Sequence, residues 1–149
     1  MHDSIDLKGR RNARKHAIQA IYQWQLTQFS IREIEQQFQD DYLGKRVDTA
    51  YFQTLLHEVP TNITQIDAAI TTHVSRPMQD IDPIELAVLR LATFELLFRI
   101  EIPYQVVINE ALELAKTFGS QDSHRFVNGV LDKVARIARP IEFSSAFKN

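Results

Sequence analysis

The sequence predicts an all-α protein with seven helices and no strand. Apolar side chains recur every three or four residues in seven successive stretches, and this spacing places them on one face of a helix. Four glycines and five prolines make up about 6% of the 149 residues, roughly half of their average share. So few turn-forming residues argue against a many-stranded sandwich or barrel.

The first helix is predicted over residues 10–27, and a capping motif marks the start of the second. Ser30 and Glu33 have the spacing of a capping box, in which the hydroxyl accepts the Glu33 amide and the carboxylate reaches the Ser30 amide. Phe29 and Ile34 flank that box as a hydrophobic staple. The two predicted apolar stripes are Ile18, Ile21, Tyr22, Leu26 and Phe29, then Ile31, Ile34 and Phe38, with Tyr42 as a further candidate.

The third helix is predicted to follow a loop over residues 43–47 that contains Gly44. Asp48 caps this helix and Pro60 ends it. The fourth helix is predicted over residues 62–74, before a connector at residues 77–81. This connector is the best candidate for a seam between subdomains, although the fourth helix could belong to either side. With that helix in the second half, a single domain of residues 1–149 divides into subdomains of about residues 10–60 and 61–139. The inward stripe of the third helix is Tyr51, Phe52, Leu55, Leu56 and Val59.

The strongest helix start in the chain combines a capping Asp82, Pro83 at the first helical position and Glu85 at the third. The fifth helix that follows, to about residue 98, is apolar around most of its circumference, which predicts the central helix of a bundle. Pro103 begins the sixth helix, and Gly119 is placed to cap its end.

The seventh helix is predicted over residues 122–138, and Pro140 is expected to end it. Gly129 lies inside this helix, where glycine costs about 1 kcal/mol relative to alanine. A close approach to a neighbouring helix is the simplest account of that glycine. Residues 141–149 are expected to form a frayed tail.

Several classes of protein are excluded by residues that the sequence lacks. Without cysteine there is no disulfide scaffold, thiolate zinc site or cysteine nucleophile, and there is no glycine-rich nucleotide loop. No apolar run approaches the length of about 18 residues that a membrane helix needs. The N-terminus also lacks the apolar core of a secretory signal. We therefore expect a cytoplasmic protein with no membrane association.

Enzymatic and metal sites are not predicted either. Asp122, Ser123 and His124 have the residue types of a catalytic triad, but consecutive helix positions diverge by about 100° and cannot converge on one atom. The sequence contains no H-E-x-x-H and no Glu-x-x-His pair, the helical motifs of zinc and di-iron sites. The prediction is a non-catalytic protein without a cofactor or metal.

Positive charge is concentrated at the start of the first helix. Residues 1–29 carry five basic and two acidic side chains, whereas residues 30–149 carry twelve basic and seventeen acidic ones. Cations in a first turn oppose the helix macrodipole at about 0.3–1 kcal/mol each. A polyanionic ligand therefore explains the cluster better than a solvated helix end does. The five basic residues are Lys8, Arg10, Arg11, Arg14 and Lys15.

Three segments carry motifs of a known family. They are RRNARKHAIQAIYQWQ at residues 10–25, the stretch from LAVLRLA to INEA at residues 86–111, and ELAKTFG followed by DSHRFVNGVLD at residues 113–132. Together they resemble the NusB family of bacterial transcription antitermination factors, and the third segment is the most specific. The resemblance covers roughly residues 10–139.

The resemblance implies two small helical bundles packed together and no catalysis. It implies that the chain binds the single-stranded boxA element of ribosomal RNA transcripts together with NusE, a small-subunit ribosomal protein. The complex would then promote processive elongation by RNA polymerase. A homodimer of the free chain is also implied as an option, since some relatives dimerise.

The resemblance also assigns candidate residues to each partner, and several of them have a structural alternative. RNA is assigned to the basic cluster and to Tyr22, although Tyr22 also fits the apolar stripe of its helix. Glu85 and Asp122 also fit simple roles in capping their helices, and Phe126 fits the core. The residues assigned to the NusE surface are Glu85, Asp122, Ser123, Arg125 and Phe126.

Two other functions stay open on the residues alone. An RNA-binding module of an RNA methyltransferase would need another subunit for its cofactor, because this chain contains no Rossmann unit, and affinity for S-adenosylmethionine would favour it. A helix-turn-helix regulator of duplex DNA is disfavoured by the overall acidity and by the lack of a second basic helix. Competition between boxA RNA and duplex DNA distinguishes that regulator.

Overall fold

The computed structural model describes residues 6–41 and 46–146, and within these ranges the chain has helices and no strand. The all-α prediction is confirmed, but the described residues form eight α-helices where seven were predicted. A short 3₁₀ turn at Met78–Asp80 precedes the fifth helix. The helices are α1 (Leu7–Thr27), α2 (Ile31–Asp41), α3 (Thr49–Thr61), α4 (Ile63–Thr71), α5 (Pro83–Phe98), α6 (Tyr104–Phe118), α7 (Ser123–Ala138) and α8 (Pro140–Ala146).

The chain divides into two compact units, Met1–Thr61 (unit 1) and Asn62–Asn149 (unit 2). In unit 1, α1 packs against both α2 and α3. The rings of Phe38 and Phe52 lie 5.7 Å apart in its core. The predicted inward stripe of α3 is confirmed, and its members are all buried together with Ile18, Ile21 and Ile34.

The predicted capping box at the start of α2 is half correct. The Glu33 amide donates to the Ser30 hydroxyl at 3.1 Å, but that hydroxyl donates to the Glu33 carboxylate at 2.9 Å, so the carboxylate does not take the Ser30 amide. Leu26 and Phe29 are 55% and 50% exposed. Their predicted place in the core stripe of α1 is therefore wrong: Leu26 lies in the last turn of the helix, and Phe29 lies beyond its last residue, Thr27.

α1 begins three residues earlier than predicted, because Asp6 caps it by accepting the Gly9 amide at 2.9 Å. Asp48 caps α3 as expected and accepts the Tyr51 amide at 3.0 Å. The Asp48 amide in turn donates to the Gly9 carbonyl at 3.0 Å. The described residues do not include 42–45, so Tyr42, Gly44 and most of the predicted loop at residues 43–47 lie outside them.

In unit 2, α5 is the central helix and packs against α4, α6 and α7. Its predicted start is confirmed, since the Asp82 carboxylate accepts the amides of Ile84 and Glu85 at 2.9 and 3.1 Å. Residues Glu85 to Leu96 are buried along α5 except for Arg90. Arg90 instead forms a two-pronged ion pair with Asp67 of α4, with distances of 3.0 and 2.9 Å.

The predicted frayed tail is wrong over its described part, because α8 begins at Pro140. Proline suits the first position of a helix, where its missing N–H would have no partner. The buried Arg139 donates to the carbonyls of Glu95 and Leu96 in the last turn of α5 and of Arg99 just after it. It also binds the Glu142 carboxylate at 2.7 Å. These bonds hold α8 against the rest of unit 2.

Gly119 caps α6 as predicted, with its amide donating to the Ala115 carbonyl, but for a different reason than expected, and the account predicted for Gly129 fails. Gly119 ends α6 with φ −94° and ψ −175°, an extended conformation that needs no glycine. A Cβ there would lie 2.6 Å from the Ser123 hydroxyl and 2.7 Å from the Ala115 carbonyl, so close packing requires the glycine. Gly129 was predicted to meet a neighbouring helix, which is wrong: a Cβ there would have no described atom within 4 Å.

Candidate nucleic-acid interface

Burial divides the basic cluster of α1 into two sets. Lys8, Arg11 and Lys15 are exposed; we call these three residues the outer row. Arg14 is only 5% exposed, and 17% of the Arg10 side chain is accessible; we call these two residues the inner pair. The outer row follows steps of three and four residues, so its members share one face of the helix.

The inner pair packs on an aromatic ring of α3. The guanidinium carbon of Arg10 lies 4.2 Å from the centroid of the Tyr51 ring, and that of Arg14 lies 5.5 Å from it. Both distances are within the range of cation–π attraction. Arg10 Nε is also 3.8 Å from the Asp48 carboxylate. The inner pair therefore joins α1 to the start of α3.

Helical spacing carries a signal for this division that sequence reasoning missed. Arg14 lies three and seven residues before Ala17 and Ile21, which are both buried. Residues at these intervals share a face, so Arg14 falls on the core side of α1. Tyr51 was predicted only as a core residue, and its second role as a platform for two guanidinium groups was not predicted.

Tyr22 lies seven residues after Lys15 and continues the face of the outer row. It is half-buried, so its ring belongs partly to the core and partly to the surface. Gln19 lies between them and donates to the Lys15 carbonyl at 3.2 Å. This face of α1 therefore presents three cations followed by an aromatic edge.

The residues predicted to bind NusE are in unit 2, where two of them form a buried pair. The Ser123 hydroxyl donates to Glu85 Oε2 at 2.8 Å and accepts the Ser120 amide at 3.0 Å. Glu85 Oε1 is 3.9 Å from Arg76. The Glu85 side chain thus links the start of α5 to the start of α7, in addition to the role of its amide in the Asp82 cap.

The remaining residues of this predicted surface are more accessible. Asp122 is exposed and its side chain makes no capping hydrogen bond to α7, so the capping alternative for Asp122 is wrong. Arg125 is exposed, whereas Phe126 is half-buried with the Arg76 guanidinium 4.4 Å above its ring. Phe126 is therefore not a core residue. Arg125, Phe126 and Gly129 line a groove of about 400 Å³.

Comparison with known proteins identifies the family. The NusB family model matches residues 11–136. A transcription antitermination protein NusB of Pseudomonas savastanoi pv. phaseolicola is 55% identical over 133 residues, which cover 89% of this chain and 81% of that protein. The protein of that name from Colwellia psychrerythraea is 53% identical, with 89% of this chain and 96% of that protein covered. The chain belongs to the NusB family.

Solved structures agree with the NusB fold. A structure of T. maritima NusB superposes with a TM-score of 0.78 at 28% identity, covering 96% of this chain and 99% of that one. A chain of the crystal structure of antitermination factors NusB and NusE in complex with dsRNA superposes with a TM-score of 0.79 at 24% identity, covering 88% of this chain and 98% of that one. The resemblance inferred from the sequence motifs is thereby confirmed.

Membership in the NusB family also bears on the excluded functions. The relatives are named for transcription antitermination, which supports the prediction of a protein that is not an enzyme. Across residues 6–41 and 46–146, no group of three or more His, Asp or Glu side chains is placed to hold a metal ion. In the same ranges, no helix is both long and apolar enough to span a membrane.

Proposed function

We propose that this NusB-family chain is a non-catalytic antitermination factor that binds boxA RNA through the outer row of α1. The observation that carries the proposal is that Lys8, Arg11 and Lys15 are exposed on one helix face that continues to Tyr22. Lysine and arginine bind phosphates along an RNA backbone and release counterions as they do so. The accessible part of the Tyr22 ring offers an unpaired base a stacking surface.

The inner pair acts behind this surface. Arg10 and Arg14 were predicted to bind RNA, but their packing on Tyr51 supports a role in positioning α1. Arg14 would have to leave a buried site to reach a phosphate, at the cost of desolvated contacts. We therefore assign direct RNA contacts to the outer row and Tyr22, and support of the helix to the inner pair.

A surface of unit 2 binds NusE in this proposal. Asp122 and Arg125 are exposed and make direct contacts, and Phe126 offers its accessible face. Glu85 and Ser123 are buried and bonded to each other, so they shape the surface from below. An exposed acid such as Asp122 suits a basic ribosomal protein.

Binding both ligands at once is the basis of the antitermination role. Once one ligand is held, the second contact forms at a high effective concentration, so two weak contacts give one tight assembly. The assembly then joins RNA polymerase and keeps elongation processive, which places the chain in the cytoplasm with the transcribing enzyme. A homodimer of the free chain would compete with this assembly if it covered the same surfaces.

The experiment is a fluorescence anisotropy titration of labelled boxA RNA with the full chain, alone and with NusE. Three competitors are used: unlabelled boxA strand, a scrambled strand of equal length, and the boxA duplex. We expect the boxA strand to compete best and NusE to tighten binding by at least tenfold. Equal competition by all three, or no effect of NusE, would contradict the proposal. Sedimentation of the free chain measures any homodimer.

A further inference from the structure

We propose that Arg46 is a further RNA-binding residue, held beside the outer row by the side chain of Asn12. The inference rests on the proposed function of α1 and adds a second segment to the same surface. Arg46 lies in the connector between α2 and α3, outside the sequence cluster that defined the basic site. The contacts that bring it to α1 are two hydrogen bonds, which join Arg46 and Asp48 to residues of α1.

Two hydrogen bonds fix the backbone of this connector against the start of α1. Asn12 Nδ2 donates to the Arg46 carbonyl at 3.0 Å. Two residues later, the Asp48 amide donates to the Gly9 carbonyl at 3.0 Å. Because both bonds end on the first turns of α1, residues 46–48 lie along the part of the helix that carries the outer row.

The position of Asn12 brings Arg46 to the face of the outer row. Asn12 is four residues after Lys8 and three before Lys15, so all three side chains project from neighbouring positions on one face. The carbonyl that Asn12 holds belongs to Arg46 itself. The backbone of Arg46, from which its side chain projects, is therefore fixed next to the cations that we assign to RNA.

The two charged residues described in this connector lie in different surroundings, as the inner pair and the outer row do. Its acid, Asp48, caps α3 and faces Arg10 of the inner pair at 3.8 Å. The cation among the described residues of this connector, Arg46, is exposed. A planar guanidinium is well suited to bidentate contact with a phosphate. Arg46 thus extends the cationic surface of the outer row.

The test measures binding of single-stranded boxA RNA to the full chain over a range of salt concentrations. Arg46→Gln is expected to lower affinity about fivefold at 0.1 M salt and to reduce the slope of log K against log salt by about 0.7, the value for one phosphate contact on a single strand. Arg32→Gln is the matched control, because Arg32 is an exposed arginine of α2 in the same unit. It should leave both quantities unchanged.

Asn12→Ala tests the positioning role separately, because it changes no charge. We expect a smaller loss of affinity than for Arg46→Gln, and no additional loss when Asn12→Ala is combined with Arg46→Gln. Additive losses in the double variant would show that Asn12 acts on RNA independently of Arg46. Thermal unfolding of each variant verifies that the fold is retained.

Failure of this inference and failure of the proposed function give different results. If Lys15→Gln weakens binding and lowers the salt slope while Arg46→Gln matches Arg32→Gln, Arg46 is not a contact and the outer row stands. If the unmodified chain does not bind the boxA strand, both are overturned. A reduced slope in Arg46→Gln and in Lys15→Gln, with Arg32→Gln unchanged, is the result that supports the inference.

Discussion

At the scale of single residues, Tyr51 gives Arg10 and Arg14 surroundings that differ from those of the outer row. Arg14 is buried against the ring, where its charge is shielded from water. A desolvated cation–π contact contributes about 2 kcal/mol or more, compared with about 0.5–1 kcal/mol at an exposed site. We conclude that Arg14 serves stability first, whereas Lys15, the next residue in the chain, is available to a ligand.

Substitution of these two neighbours tests that division. Arg14→Met is expected to lower the free energy of unfolding by about 2 kcal/mol, because the ring contact is lost. Lys15 is exposed, so Lys15→Gln should change the free energy of unfolding by less than about 0.5 kcal/mol. Urea denaturation followed by circular dichroism measures both. An Arg14→Met variant with unchanged stability and weakened RNA binding would return Arg14 to the RNA-contacting set.

His16 makes the stability of unit 1 depend on pH. Burial lowers the pKa of His16 below its usual 6.5, and its Nδ1 atom is buried with no hydrogen-bond partner in the described part of the chain. The unfolded chain takes up a proton near pH 6.5, but the folded chain does so only at lower pH. Stability is therefore complete above about pH 6.5 and falls as the pH drops below it.

The measurement is the free energy of unfolding of the wild type and His16→Gln between pH 8 and pH 5. We expect the wild type to lose more stability than the variant over this range, since only the wild type has the titrating ring. Two profiles that stay parallel throughout would show that His16 carries no linked proton. The control is Lys15→Gln, whose profile should match that of the wild type.

At the scale of elements, Gly119 at the end of α6 and Gly129 within α7 have opposite surroundings. A Cβ on Gly119 would lie 2.6 Å from the Ser123 hydroxyl, which holds the start of α7, whereas one on Gly129 would meet open space. Gly119→Ala should therefore destabilise unit 2, by about 1 kcal/mol or more. Gly129→Ala should stabilise it by about 0.5–1 kcal/mol, the helix propensity difference.

Thermal unfolding of the two alanine variants measures these effects. A lower midpoint for Gly119→Ala and a higher one for Gly129→Ala is the expected pair of results. Loss of stability in Gly129→Ala would restore the close helix approach that the sequence predicted. If Gly129→Ala is more stable but binds NusE less well, the open groove beside Phe126 serves the partner.

The starts of α2, α3 and α5 were predictable from sequence because capping is a local property. Ser30, Asp48 and Asp82 each bond an amide two or three residues ahead, so the sequence contains both partners. The exposure of Phe29 and the docking of α8 were not predictable in this way. Each depends on which distant residues lie nearby, as when the Glu142 carboxylate accepts the Tyr104 amide from 38 residues away.

The candidate RNA site was predictable as a cluster but not as a surface. Charge counting identified all five basic residues, and helical spacing places Arg14 on the core side of α1, whereas the contact of Arg14 with Tyr51 of α3 is a tertiary one. Arg46 was missed for the same reason, because the bond to Asn12 spans 34 residues of sequence. Tertiary contacts thus decide which cations of a local cluster face solvent.

At the scale of the whole molecule, the net charge is only −2, yet the surfaces that we assign to RNA and to NusE lie in different units. Unit 1 carries the outer row, and unit 2 carries the surface that we assign to NusE. In the proposed function, the excess of acids beyond residue 29 repels RNA from most of the chain, and the cations of α1 attract it to one place. Affinity for RNA should therefore depend steeply on salt and on few residues.

The most direct measurement is the salt dependence of boxA binding by the triple variant Lys8→Gln, Arg11→Gln and Lys15→Gln. If the outer row makes three phosphate contacts, the slope of log K against log salt falls by about 2 relative to the unmodified chain. The thermal midpoint should change little, because the inner pair is retained. A triple variant that keeps both the wild-type slope and the wild-type affinity would contradict the central claim that this face of α1 binds RNA.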